Sequence, residues 1–123
     1  MKRIYVASPY AGDIEKNTEF AKNACRFVMN QGHAFFCPHL LYPYILEESN
    51  VAERQLGLDM GLVMLESCDE LWCFGERISH GMMAEIEEAE RLHIPTRRVM
   101  EYDQNFRVGE VKNQAPQMQM GTP

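Results

Sequence analysis

With 123 residues, 46% of them hydrophobic and 24% charged, the chain has the length and composition of one globular domain, enough to bury a core without metal or disulfide staples. A formal charge of −6 argues against a nucleic-acid-binding face, which needs clustered Lys and Arg to neutralise phosphates. No stretch approaches the roughly 20 apolar residues of a membrane helix, and Lys2 and Arg3 open only a short apolar run that Pro9 ends, so neither a membrane partner nor a secretory signal is expected.

Arg3-Ile4-Tyr5-Val6-Ala7 is β-branched and aromatic and stops at Ser8-Pro9, which predicts a buried strand. Asp13 is an N-cap for a helix in which Phe20, Ala24, Phe27 and Val28 form an apolar stripe and Gly32 marks the end. Ala34 to Cys37 is a second short strand closed by Pro38. Residues 39–50, with two aromatics and Pro43, predict a long functional loop. A second helix runs from about Val51 to Ser67 with Leu56, Met60, Val63 and Met64 on one side, a stripe suited either to the core or to an interface. Glu70 to Phe74 is a third strand ended by Gly75, Ser79 caps a third helix reaching about Leu92, and Thr96 to Met100 is a fourth strand beyond Pro95.

Strands alternating with helices predict an α/β fold, a three-layer flavodoxin- or Rossmann-like sandwich around a small parallel sheet of about four to five strands. The domain is expected over residues 1–102. Residues 103–123 are rich in Gln, Met and Pro with little periodicity, and are expected to be a C-terminal tail, partly disordered or engaged in oligomer contacts.

The four cysteines, Cys25, Cys37, Cys68 and Cys73, have no paired spacing and read as scattered buried thiols in a reducing cytoplasm. His33, His39, His80 and His93 share no ligand spacing, so no metal is expected. The first strand is not followed by a three-glycine turn and no P-loop is present, so no cofactor is expected either.

In an open parallel sheet the ligand sits beyond the carboxyl ends of the strands. That rule selects Ser8, Pro9 and Tyr10 after the first strand, His39 after the second, and Gly75, Ser79, Gly81 and Met82 after the third as substrate-binding candidates. Gly81 near a helix start allows close backbone approach, and the free amides of that first turn suit an anion. Glu85, one turn into the helix, is either an ordinary first-turn acid or an ionised carboxylate beside a sugar. Asp59, inside the second helix between apolar neighbours, is either a solvated residue or a buried acid poised near a leaving group. Tyr5 is either core packing or a hydroxyl holding a carboxylate.

Three features taken together, Tyr5-Val6-Ala7-Ser8-Pro9-Tyr10, Asp59 in the helix before the third strand, and Gly81-x-x-x-Glu85 in the helix after it, resemble the nucleoside 2-deoxyribosyltransferase superfamily, most closely its short phage and bacterial members. The likeness covers residues 2–100. It implies cleavage or transfer at an N-glycosidic bond of a nucleoside or nucleoside 5′-monophosphate. Glu85 would attack the anomeric carbon, Asp59 would assist the departing base, and Tyr5 would orient the nucleophile, with a glycosyl-enzyme intermediate. Ser79 stands where the transferases carry an acid and where the related 2′-deoxynucleoside 5′-monophosphate N-hydrolases carry a phosphate-facing Ser, with Arg77 and His80 nearby. Ala11 replaces an Arg common in short relatives, and residues 39–50 do not match the family's enzymes. The resemblance also implies a homodimer or higher homo-oligomer. The alternative is a non-catalytic module that binds or sequesters a nucleotide-like ligand in the same pocket.

Overall fold

The computed structural model describes residues 1–102 and 105–112, with the backbone alone from 101 onward. The elements are β1 (Arg3–Ala7), α1 (Ile14–Asn30), β2 (Ala34–Phe36), α2 (Val51–Glu66), β3 (Glu70–Phe74), α3 (His80–Arg91), β4 (Thr96–Tyr102) and β5 (Asn105–Lys112). Two short 3-10 turns, Pro38–Leu40 and Tyr42–Tyr44, lie between β2 and α2.

The sheet order is β2-β1-β3-β4-β5, parallel except for β5, which runs antiparallel to β4. This is the doubly wound order in which the chain winds one way from β1 to β2 and the other way from β3 onward. The crevice between the carboxyl ends of β1 and β3 is therefore the switch point.

The three predicted layers are present. Strand residues alternate between faces: Ile4, Val6, Trp72 and Phe74 pack against Ala21, Ala24, Phe27 and Val28 of α1. Tyr5, Ala7, Leu71 and Cys73 face Leu65 of α2 and Met82 and Ala89 of α3. The helix starts follow their caps, with Asp13 accepting from the Lys16 amide, Asn50 from Glu53 and Ser79 from Met82. Gly32, just past the last turn of α1, takes a left-handed backbone (φ 86°) that closes the helix.

One alternative left open by the sequence is settled, and one expectation changes. The stripe of Leu56, Met60, Val63 and Met64 does share one face of α2, but that face points outward. Leu56, Val63 and Met64 are 48%, 66% and 40% exposed, whereas only Gly61 and Leu65 are buried. The helix is apolar on both sides, so periodicity alone could not choose the inner one. Secondly, residues 105–112 of the expected tail form β5, whose antiparallel pairing needs only a short return from β4 and no helical crossover. Residues 103, 104 and 113–123, the rest of that tail, lie outside the described residues.

All four cysteines are free, and Cys25, Cys37 and Cys73 are buried as expected. They are less scattered than the sequence suggests, because the Cys25 thiol hydrogen-bonds Cys37 across the α1–β2 packing. Among the described residues no helix is long and apolar enough to cross a membrane.

Candidate active site

A cleft of about 630 Å³ opens at the carboxyl edge of β1, between α2 and α3, beside the switch point. Its floor is the side chain of Tyr5, which β1 directs to the α2/α3 face. The Tyr5 hydroxyl donates a 2.6 Å buried hydrogen bond to Oε2 of Glu85, a residue 80 positions away in the chain. Glu85 is only 9% exposed, and its second oxygen, Oε1, is buried with no hydrogen-bond partner. Burial pushes the Glu85 carboxyl up to about 7, against the opposing pull of the Tyr5 hydrogen bond. Burial first, and the facing carboxylate second, raise the Tyr5 phenol well above its ordinary range. Tyr5 therefore remains a donor at every physiological pH.

The approach of Tyr5 to Glu85 depends on α2 having no side chain at position 61. A Cβ built on Gly61 would stand 3.0 Å from the Tyr5 hydroxyl oxygen. Gly57, one turn earlier, is closed over by Leu46, whose methyl would lie 2.9 Å from an added Cβ. The Gly57-x-x-x-Gly61 spacing thus lets α2 settle over the cleft floor.

The loop after β1 is held by Asn17, whose amide donates 3.0 Å bonds to the Tyr10 and Ala11 carbonyls. Gly12 makes the turn with φ 100°. Tyr10 stacks on His39, with ring centroids 5.0 Å apart and planes at 22°, and both rings line the cleft. Burial lowers the His39 proton affinity, opposed by its hydrogen bond to the Ser8 backbone. The far wall comes from the segment that the sequence leaves as a functional loop. Glu53 accepts a 2.7 Å bond from the Glu47 amide and so pins that segment to the start of α2. Tyr42, Leu46, Glu47 and Glu48 line the cleft together with Arg54, Gln55 and Leu58 of α2.

The structure brings together Tyr5, Tyr10, His39, Asp59, Gly81 and Glu85 around this cleft. Asp59 is there as an exposed residue, accepting a 3.0 Å bond from the Gln55 amide one turn earlier. Of the two readings of Asp59, the buried acid is not what the fold provides. Of the two carboxylates, the buried one is Glu85.

Five other candidates stand outside the cleft lining. Ser8 is fully buried beneath it, with an unpartnered hydroxyl, and Pro9 follows it in the same turn. Gly75 is buried with φ 102° against the Phe20 ring, so its role is to turn the chain between β3 and α3. Arg98 fixes that turn by donating to the Gly75 and Glu76 carbonyls at 2.7 and 3.3 Å. Ser79 spends its hydroxyl on capping the Met82 amide at 3.2 Å, and Met82 points into the core beneath α3.

The residues that the sequence did not single out are Tyr42, Leu46, Glu47, Glu48, Arg54, Gln55 and Leu58. A signal existed for those on α2: Arg54 and Leu58, like Gln55 and Asp59, lie four apart on one helix face. Those in the 39–50 segment carry no period to read.

Residues 2–99 match the family described as Domain of unknown function (DUF7768). No curated protein matches the sequence. Among solved structures the chain is similar to a 2-deoxyribosyltransferase from the psychrotolerant bacterium Bacillus psychrosaccharolyticus, with a TM-score of 0.60 and 21% identity over 80% of this chain and 72% of that one. It is also similar to a 2-desoxiribosyltransferase from Leishmania mexicana, with a TM-score of 0.58 and 14% identity over 100% of this chain and 89% of that one. At such identities the likeness is one of fold, and it includes the α/β layering described above.

Proposed function

This chain belongs to the DUF7768 family, and we propose that it cleaves or transfers the N-glycosidic bond of a nucleoside or nucleotide, with Glu85 as nucleophile. One observation carries this reading: a carboxylate that is buried at a cleft floor, held at one oxygen by Tyr5 and unpartnered at the other. A structural acid in that position would be paired or solvated, since an unpaired buried carboxylate is costly. Poised near neutrality, Glu85 ionises easily, and it is nucleophilic once ionised. As the bond to the base lengthens, positive charge grows on the sugar ring, and a carboxylate at the anomeric carbon stabilises it. Tyr5 holds Oε2, so Oε1 makes the attack and a glycosyl ester forms. Water or a second base then takes the sugar and restores the carboxylate. Asp59, at the solvent side with Gln55, faces the departing base, directly or through water. The Tyr10–His39 stack gives that base a flat wall.

The test is release of free base from nucleosides, deoxynucleosides and their 5′-monophosphates, followed by chromatography, with Glu85→Ala alongside. Release as fast from the variant as from the native protein would sink the proposal. Gly61→Ala is a subtler check. The added methyl displaces the Tyr5 hydroxyl, so base release is expected to fall about tenfold, as a charged hydrogen bond is weakened. Stability should change by less than about 1 kcal/mol, because Ala favours the helix by a similar amount. An intact rate would show that the tight approach at position 61 is dispensable.

The proposed setting is the cytoplasm, where free thiols remain reduced. The proposed partner of the outward stripe on α2 is a second copy of the chain. Leu56, Val63 and Met64 put exposed apolar surface on one face of α2, the kind of surface that a second copy would cover. Val63→Glu is expected to convert the oligomer to monomer in sedimentation equilibrium, and an unchanged mass would exclude this face as the interface.

A further inference from the structure

We infer that the cleft selects a cationic N-glycoside, a nucleoside whose base carries a fixed positive charge, as in N-pyridinium ribosides and N7-alkylpurine nucleosides. This inference rests on the glycosidic reading of Glu85 and deepens it by naming the substrate class.

The lining holds four carboxylates, Glu47, Glu48, Asp59 and Glu85, against one guanidinium, Arg54. Such a cleft with low-dielectric walls concentrates cations and repels anions. The acids are distributed around the cavity. Glu85 lies at the floor, Asp59 on α2, and Glu47 and Glu48 on the segment that precedes α2. Glu48 comes close enough to Tyr10 to add to the effect of burial in raising its phenol. The means of holding a phosphate are correspondingly thin. Arg54, His80 and the start of α3 at Gly81 line the cavity, but Arg77 is exposed and outside the lining, position 11 is Ala, and the Ser79 hydroxyl is already taken by the Met82 amide. The Tyr10–His39 stack lines the same cavity, and the tyrosine ring offers a π face that favours a cation.

The chemistry agrees with the placement of Asp59. When Oε1 of Glu85 bonds to the anomeric carbon, the carbon–nitrogen bond breaks and its electron pair passes to the ring nitrogen. A cationic base leaves neutral, and no proton has to be supplied. A solvated carboxylate at Asp59 suits that step, whereas a neutral base needs an acid there. Water then hydrolyses the glycosyl ester, returning the carboxylate and one proton.

The experiment compares binding and base release for matched ligands: N7-methylguanosine, guanosine and guanosine 5′-monophosphate, and nicotinamide riboside with its neutral dihydro form. The cationic member of each set is expected to bind at least about tenfold more tightly than its neutral counterpart, and the monophosphate most weakly, as charge complementarity over several acids implies. The exposed-site double variant Glu47→Gln/Glu48→Gln, checked for an unchanged melting temperature, should lose most of that preference. A monophosphate that binds as well as the cation, an unaltered preference in the double variant, or no binding of any ligand overturns the inference. Base release without charge preference overturns it too, while leaving the glycosidase reading in place. Charge-selective binding with no base released from any ligand supports the selection and removes the reaction.

Discussion

Glu85→Gln is expected to lower base release by at least about a thousandfold, because an amide is no nucleophile at the anomeric carbon. The same substitution has a second signature, in stability. The Glu85 carboxyl is raised from an ordinary value of 4.5 to about 7, so the folded state holds its proton more tightly than the unfolded chain. The stabilising contribution of the protonated acid is then fully present below pH 4.5 and is lost as pH rises through about 7. A displacement of that size corresponds to an order of 3 kcal/mol between the two ends of the window. Native protein should therefore melt at progressively lower temperature from pH 5 to pH 8, and Glu85→Gln should flatten this slope. Calorimetry across that range checks it, and an unchanged slope would mean that Glu85 is solvated in solution. Because only the ionised form attacks, the native rate should rise with pH through about 7.

Tyr5→Phe removes the only hydrogen bond that the buried carboxylate receives among the described residues. Such a bond to a charged group is worth about 1.5–3 kcal/mol, so the rate at saturating ionisation should drop roughly 10- to 100-fold. The direction of the pH effect separates positioning from mere packing. The Tyr5 bond lowers the proton affinity of Glu85, so its loss raises that affinity further, and the ascending limb of the rate profile moves to higher pH. A reduced rate with an unmoved limb would make Tyr5 a packing residue alone.

Much of the architecture could be read from the chain because local and long-range signals agree. Ile4 to Ala7 and Leu71 to Phe74 are apolar on both faces, as strands under helices on two sides must be. Asp13 and Ser79 begin helices where their side chains can take the first free amides. The outward turn of α2 was not legible, because apolar residues lie on two sides of the helix, Leu56 and Val63 on one and Leu58, Leu62 and Leu65 on the other, and the sequence does not say which side faces the core. Nor was β5, whose sequence mixes Phe106 and Val108 with charged residues and a glycine and whose place depends on β4 as a template. For the site, the meeting of Tyr5 and Glu85 came from resemblance, since no spacing rule relates residues 80 apart. The exposure of Asp59 was undecidable because its neighbours in sequence are apolar, whereas in the fold it is exposed and bonded to Gln55. The wall from Tyr42 to Glu48 has no repeating pattern, and its 3-10 turn at Tyr42–Tyr44, the packing of Leu46 over Gly57 and its tie to Glu53 give it shape.

Tyr5 belongs to β1, which is flanked on both sides by other strands. The Glu85 carboxylate is thus held from an interior strand, while part of the cleft wall is built from surface turns. On the proposed function, sequence drift in those turns would reshape what enters the cavity without disturbing the Tyr5–Glu85 pair, so the same molecule would have room to change its diet while keeping its bite.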